Sequence, residues 1–323
     1  MINYTIIIPH KDNSDLLQYC LDSIPIRNDV QVIVIDDNSD ACKVDFDNFP
    51  KWKGINYEFY LTKDGKGAGY CRNIGLEHAQ GKWVLFVDAD DYVLPCISKF
   101  FDKCVDSKAD VIYFRPKSVL LRDREILSKR GVTYNKLIDE YHITGDENNL
   151  RVRFLPPWSK FVKRDLVEEH KIRFEEIRYS NDNFFSVAIG CYAKKIEVRD
   201  EIYYVITEST DSLTSNFLGK PGELECRGGA FIRASSLASS LGYKINQDDA
   251  IFFMRLLIRK NDFMYRRLFD LVKKNFGYTE LHLLQITFHG YKWSRRYKNY
   301  VYSEFIARRS VSSKTETNER KAI

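Results

Sequence analysis

The seven cysteines, Cys20, Cys42, Cys71, Cys96, Cys104, Cys191 and Cys226, are odd in number, and no two form a C-x-x-C pair. That absence argues against a disulfide framework and leaves no ligand spacing for a zinc cluster. Several of them sit in apolar helical patterns, where cysteine behaves as a small buried hydrophobe. No stretch approaches the ~18 consecutive apolar residues of a membrane-crossing helix. The first residues lack the basic segment, long apolar run and small-residue cleavage site of a secretion signal, so the cytoplasm is the expected compartment. Charge of one sign is scarce as well. The 50 Lys and Arg against 45 Asp and Glu leave +5, and a nucleic-acid-binding domain concentrates far more positive charge than that. No nucleic-acid partner is expected. Internal repeats are missing, and the glycines never fall into the spacing of a dinucleotide fingerprint.

What is present is an ordinary globular share of hydrophobic residues, 44% of 323, enough for one large domain or two smaller ones. The first hundred residues alternate strand and helix patterns. Ile6-Ile7-Ile8, closed by Pro9, is a short continuous apolar run of the kind buried on both faces. Asn13 or Ser14 can cap a helix carrying Leu16, Leu17, Cys20, Leu21 and Ile24 at helical spacing. Val30–Ile35, Tyr57–Leu61 and Trp83–Val87 read as further strands, with a helix from about Tyr70 to Ala79. Pro95, at a first-turn position, opens a helix that buries Ile97, Phe100, Phe101 and Cys104. Strands alternating with helices predict an α/β fold with a doubly wound, mostly parallel sheet. Val111–Phe114 is another strand, Arg122–Asn149 a polar surface excursion, and the region from Pro156 to Ile206 globular again, ending in strands. Beyond Gly222 the pattern turns helical, over Ala230–Leu241, Asp249–Arg259 and Phe263–Phe276.

In such a sheet the ligand site lies beyond the carboxyl ends of the strands. Four of these ends carry distinctive polar segments: Pro9-His10-Lys11-Asp12, Asp36-Asp37-Asn38-Ser39, the turn Gly65-Lys66-Gly67-Ala68-Gly69, and Asp88-Ala89-Asp90-Asp91. Their convergence points to a nucleotide pocket. In the last of them, alternate side chains of an extended segment face the same way, so Asp88 and Asp90 can share one site. Two carboxylates on one side of a pocket attract a hard divalent cation that can also bridge phosphates, Mn2+ or Mg2+. The competing reading is a solvated turn in which Asp91 caps the following helix. The Asp36-Asp37 turn can accept a hydrogen bond from a base, Asp37 more than Asp36, or can be a plain Asx-turn. The glycine-rich turn lets backbone pass close to a ligand ahead of Arg72, which can pair with phosphate or with a carboxylate; a flexible turn feeding a helix fits equally. Asp182, in Tyr179-Ser180-Asn181-Asp182, precedes an aromatic helical run. Spacing alone favours a cap there, with a general base as the other reading.

Several of these segments run in the order of a known family. Thr5-Ile6-Ile7-Ile8-Pro9, Val34-Ile35-Asp36-Asp37-Asn38-Ser39, Gly67 to Leu76 with its Cys71-Arg72-Asn73-Ile74-Gly75 core, Gly81 to Asp91, Trp158-Ser159-Lys160-Phe161 and Ile172-Arg173-Phe174 resemble the inverting family 2 glycosyltransferases of the GT-A fold. The likeness is to bacterial enzymes that build surface polysaccharides, and it extends over roughly Thr5 to Ser215. It implies a Rossmann-like nucleotide-binding half and a metal-dependent transfer from a nucleotide-diphosphate sugar, with uridine as the family's usual base. By resemblance, Asp37 contacts the base, Asp88 the ribose or metal, and Asp90 the metal. Pro9, Lys11, Gly67 and Arg72 fall on the donor side, and Trp158, Lys160 and Asn181 on the acceptor side. Asp182 falls on the catalytic aspartate.

Two departures stand out. Asn181 replaces the family's usual acidic residue before the catalytic aspartate. His10-Lys11-Asp12 replaces a polar-aromatic-Asn sequence, so Lys11 would reach a phosphate instead. No Q-x-x-R-W segment is present, which implies addition of one sugar, or a few, per encounter.

The resemblance divides the chain into a catalytic domain over 1–218, made of a nucleotide-sugar half (1–115) and an acceptor-side half (150–218). A helical C-terminal region over 219–309 and a tail over 310–323 follow. The acceptor expected is a saccharide or a lipid-linked one. The basic, aromatic stretch with Tyr291, Trp293, Arg295, Arg296, Tyr297, Tyr300, Tyr302 and Phe305 permits peripheral contact with the inner face of the cell membrane. A helix packed on the catalytic domain is the plainer reading. Two other functions use the same residues: a nucleotidyltransferase, and a non-catalytic module that binds nucleotide sugars.

Overall fold

The computed structural model describes residues 1–209, 222–257, 260–277 and 279. The chain divides into two compact units, Met1–Asn246 and Gln247–Ile323. The first is built on a nine-stranded sheet. Its N-terminal half is parallel, in the order β3 (Tyr57–Leu61), β2 (Val30–Asp36), β1 (Tyr4–His10), β4 (Trp83–Phe86). The continuous apolar runs explain this placement. Ile6, Ile7, Ile8, Val32, Ile33, Val34 and Ile35 are all fully buried, as strands covered by helices on both faces must be. Two helices, α1 (Ser14–Ser23) and α2 (Ala68–His78), lie between these strands in the chain. Asn13 caps α1, its side chain accepting from the Leu16 N–H, as the sequence predicts.

The C-terminal half of the sheet is mixed. Strand β8 (Lys160–Lys163) runs antiparallel to both β4 and β6 (Val111–Leu120). The 13-residue β9 (Ile196–Glu208) pairs in parallel with β6 in two runs, 196–199 and 204–208, with a register shift between them. A two-residue strand, β5 (Tyr92–Val93), joins the edge antiparallel to β9, and β7 (Asp123–Leu127) folds back on β6. The longer ladders are the parallel ones, and the doubly wound, mostly parallel α/β sheet expected from the sequence is the architecture found.

Three expectations need correction. Arg122–Asn149 is not a surface excursion. It forms β7, then α4 (Val132–Thr144) and the start of α5 (Asn148–Arg153), with Leu137, Ile138 and Leu150 buried. Its mixed-sign surface hid a narrow apolar stripe, Tyr134, Leu137, Ile138 and Tyr141, at true helical spacing. Pro95 lies ahead of helix α3 (Ile97–Cys104) in a tight turn whose bonds run from Ile97, Ser98 and Lys99 back three residues; the apolar face of α3 is the predicted one. Asp91 does not cap α3: its side chain turns into the core toward β9.

After the short helix α6 (Arg164–Glu169), α7 (Asn183–Tyr192) packs against α8 (Glu223–Ser240) through Val187, Cys191, Ala234 and Ala238. The first unit therefore extends past the boundary at 218. The second unit contains α9 (Gln247–Leu257) and α10 (Asp262–Phe276), the latter capped by Asn261 and closed by Gly277 in the left-handed conformation. The aromatic and basic stretch 291–305, the tail 310–323, the end of the catalytic segment at 210–218 and residues 258–259 lie outside the described residues. Among the described residues no helix is long and apolar enough to cross a membrane.

Candidate active site

The parallel strands β1, β2 and β4 deliver their carboxyl ends to one edge, and each end is locked by its own polar side chains. After β2, Asp36 is fully buried and wholly engaged. Its Oδ2 receives His10 Nδ1 at 2.7 Å and Ser39 Oγ at 2.6 Å, while Oδ1 receives the Ser39 N–H at 2.8 Å. The Asn13 N–H donates to His10 Nε2, which leaves the ring proton on Nδ1, facing Asp36. Burial alone would push the Asp36 carboxyl up, but the bonds from His10 and Ser39 outweigh it and hold the group below the usual carboxylate value. Asp36 thus builds the turn. Asp37 faces the glycine-rich loop: its Oδ1 accepts the Gly67 N–H at 2.9 Å, and Lys11 Nζ donates to its backbone oxygen at 2.7 Å. The Lys11 side chain is half exposed and its ammonium lies 3.6 Å from Asp37 Oδ2. Pro9, in β1, sits opposite Ile35.

Gly67 stands at the N-cap of α2 with a φ of 92° that few side chains tolerate, and the first turn of the helix meets a loop from the far half of the sheet. A Cβ at Gly69 would stand 2.3 Å from the Glu175 carbonyl oxygen and 3.1 Å from Asn181 Cβ. Asn73 bonds both ways with Phe174, donating to its oxygen at 3.0 Å and accepting its N–H at 2.8 Å. Gly69→Ala is therefore expected to push the 175–182 loop away from α2, costing about 1–3 kcal/mol by overpacking. Thermal denaturation reads that loss, and an unchanged midpoint would show that the close approach is unimportant.

Arg72 completes the junction. Its NH2 donates to Asp88 Oδ1 at 2.6 Å and its NH1 to Asn181 Oδ1 at 3.0 Å, while the guanidinium lies 5.3 Å from the centre of the Phe174 ring. Only 7% of the Arg72 side chain is exposed, against 27% of Asp88. One buried cation thus ties Asp88 to Asn181, the residue beside Asp182.

Asp88, Asp90 and Asp91 bring carboxylate oxygens within 4.8 Å of one another, close to the span of two oxygens on opposite sides of one cation. Asp91 is buried, and both its oxygens are taken by Tyr204 and Thr207. Asp88 keeps its second oxygen, and Asp90 reaches solvent. These all-oxygen donors suit a hard divalent cation. Crowding by protein, then the charge of Asp88, pushes the Asp90 carboxyl up to about 6. Asp182 occupies the N-cap position of α7, yet its side chain makes no capping bond. Withdrawal from water raises its pKa above the ordinary value, against the opposing charges of Arg72 and Lys160.

Two residues expected on the acceptor side lie inside the protein. Lys160 is wholly buried, donating to the Phe154 oxygen at 2.6 Å beneath the Phe154 and Tyr113 rings. Burial drives its pKa well below that of a free lysine. Trp158 is 3% exposed and stacks on Tyr204 at 5.4 Å. Four residues on the loops at this edge, Asp12, Asn38, Ser159 and Ser180, hold φ between 57° and 61° without being glycine, a cost of the kind that gathers at functional sites. The polar partners on β9, Tyr204 and Thr207, escaped the sequence reading, though a buried tyrosine hydroxyl calls for a partner.

A family model described as Glycosyl transferase family 2 matches residues 5–171. The chain is 28% identical over 212 residues to the poly(ribitol-phosphate) beta-glucosyltransferase of Bacillus spizizenii, covering 63% of this chain and 32% of that protein. It is 23% identical over 228 residues to the uncharacterized glycosyltransferase EpsJ of Bacillus subtilis, covering 65% of this chain and 62% of EpsJ. To the poly(ribitol-phosphate) beta-N-acetylglucosaminyltransferase TarS of Staphylococcus aureus it is 25% identical over 219 residues, 64% of this chain and 36% of TarS. The chain thus spans about a third of the two ribitol-phosphate enzymes and less than two thirds of EpsJ. A crystal structure of S. aureus TarS residues 1–349 in complex with UDP-GlcNAc superimposes with a TM-score of 0.60 at 19% identity, covering 85% of this chain and 82% of that one. The likeness shows the fold, GT-A.

Proposed function

Because the chain belongs to glycosyl transferase family 2, we propose that it moves a sugar from a uridine-diphosphate sugar to an acceptor hydroxyl, with inversion and with the help of a divalent cation. The acceptor is a saccharide or a lipid-linked saccharide in surface polysaccharide or glycolipid synthesis, in keeping with the named activities of its relatives. The observation that carries this reading is the Arg72 bridge between Asp88 and Asn181, which links the aspartate cluster to the residue next to Asp182.

In this scheme Asp37 recognises the base, while Pro9, Lys11, Gly67 and Arg72 line the path of the diphosphate. Asp88 and Asp90 hold manganese or magnesium, which when bound offsets the charge growing on the departing diphosphate. Asp182 takes the proton of the acceptor hydroxyl as its oxygen bonds to the anomeric carbon. The bond from that carbon to the diphosphate breaks at the same time, and its electron pair leaves with UDP. A carboxyl with a raised pKa suits this role, since it accepts a proton more readily than an exposed one. Asn181 flanks the acceptor. Trp158 and Lys160 shape that side from behind, because their burial leaves them no direct contact.

A thermal-shift screen of nucleotide sugars, with and without manganese, tests the proposal. A UDP-sugar should raise the melting temperature in the presence of the ion. Ligand at 100 times its Kd stabilises by about 2.7 kcal/mol. No shift with any nucleotide sugar would sink it. Release of pyrophosphate rather than UDP would instead mark a nucleotidyltransferase.

A further inference from the structure

The Asp88 cluster presents three carboxylates, but its surroundings divide them into two kinds. Asp91 is 3% exposed. Its Oδ2 accepts the Tyr204 hydroxyl at 2.6 Å and its Oδ1 the Thr207 N–H at 2.7 Å. The same Tyr204 oxygen accepts the backbone N–H of Asp88 at 3.1 Å, and the Thr207 hydroxyl donates to the backbone oxygen of Asp90. One turn closes the segment, from the Asp91 N–H to the Asp88 oxygen at 3.0 Å. Immediately after it, Tyr92 and Val93 pair with Val205 and Tyr204, and the Leu94 N–H reaches the Tyr203 oxygen at 2.7 Å. Asp88, Asp90, Asp91 and the three residues that follow them are thus each bonded to one short stretch of β9.

We infer that Tyr204, acting through Asp91 and together with Thr207, is the positioning device for the cation ligands Asp88 and Asp90, and that Asp91 is not itself a ligand. The inference rests on the proposal that Asp88 and Asp90 hold a divalent ion. Its physical basis is preorganisation. Carboxylates held in place before the ion arrives lose little freedom on binding, and partners behind metal ligands commonly change affinity 10–100-fold when removed. Tyr204 is fully buried, with the Trp158 ring stacked on it at 5.4 Å and an interplanar angle of 12°. Its hydroxyl therefore has one orientation that serves both as donor to Asp91 and as acceptor from Asp88. Phenylalanine at this position keeps the ring and loses both bonds.

The test uses the full chain with UDP, titrated with Mn2+ and followed by the EPR signal of the free ion. In Tyr204→Phe the half-saturating Mn2+ should rise about tenfold, while UDP binding without metal is unchanged. Thr207→Val keeps the N–H bonded to Asp91 and removes the hydroxyl that donates to the Asp90 oxygen and, at 3.4 Å, to Asp91 Oδ1. It should shift the midpoint in the same direction by about threefold, and Thr207→Ser should restore it. A role in folding alone would lower the melting temperature and leave the Mn2+ midpoint where it was. Unchanged midpoints in folded Tyr204→Phe overturn the inference, as they do in Thr207→Val should the first variant fail to fold. Loss of Mn2+ binding in Asp91→Asn with none in Tyr204→Phe would make Asp91 a ligand and also overturn it. A wild-type chain that binds no Mn2+ with UDP sinks the underlying proposal as well, an outcome distinct from wild type and variants that bind alike.

Discussion

Asp182→Asn is expected to lower kcat/KM for transfer by about 10³-fold or more, to leave binding of the donor and the cation intact, and to raise the melting temperature. The first part follows from the proposed chemistry. An amide of the same shape cannot take the acceptor proton, and it carries no charge toward the incoming hydroxyl. The second follows from position, since the Arg72 bonds to Asp88 and Asn181 do not pass through the Asp182 side chain.

The third part follows from linkage. Burial raises the Asp182 pKa in the folded chain, so the folded state holds that proton more tightly than the unfolded one. The associated stability is complete below the unfolded carboxylate value and is lost as pH rises through the raised folded value. At neutral pH the partly buried charge is a net cost that asparagine removes. The gain in Tm should be present at neutral pH and should shrink toward zero in acid. Transfer by the wild type should fall off on an acid limb above the usual carboxylate range. A variant that transfers normally, or that melts lower at neutral pH and equally in acid, would remove Asp182 from the role of base.

The parts of this molecule that were legible are those where one residue pattern permits one environment. Ile6-Ile7-Ile8 and Val32-Ile33-Val34-Ile35 have no polar residue to offer water, so a doubly covered strand is the only economical place for them. The polar segments at their carboxyl ends then had to lie together. The second half of the sheet was harder because its signals are short. Strand β8 is four residues with lysine at both ends, and β5 is two residues long; neither presents enough of a period to read. Helix α4 did carry a readable stripe, but the charges around it dominated the impression.

Within the site, sequence separated Asp37 from Asp36 only by preference. The physical difference is that Asp36 spends both oxygens on His10 and Ser39, contacts invisible before folding. Asp182 shows the limit from the other side. Its place ahead of α7 is that of a cap, but its side chain makes no capping bond, a difference that spacing along the chain does not carry. Lys160 and Trp158 illustrate a third case. Resemblance put them on the acceptor side, and tertiary packing encloses both side chains.

Asp90→Asn should weaken Mn2+ binding in the presence of UDP by about 10²-fold, and with it metal-supported transfer, while the fold is retained. The size follows from the donor set. Among the three aspartates, Asp91 gives both oxygens to β9 and Asp88 gives one to Arg72, so Asp90 is the exposed carboxylate of the three. Replacing it with an amide leaves a single free carboxylate oxygen to meet a hard cation, which prefers charged oxygen ligands. The same residue sets the pH dependence. Its carboxyl is pushed up to about 6, first by crowding and then by Asp88, so a proton competes with the ion. Mn2+ affinity in the wild type should be flat well above pH 6 and fall toward tenfold per pH unit below it, the slope of one proton exchanged for one ion. In Asp90→Asn that slope should disappear along with most of the affinity. Isothermal titration of Mn2+ into the chain with UDP at several pH values reads both effects. Affinity that stays level through pH 6 in the wild type, or an asparagine variant that binds as tightly, would take Asp90 out of the cation site and leave the Asp88 segment as a turn held by β9.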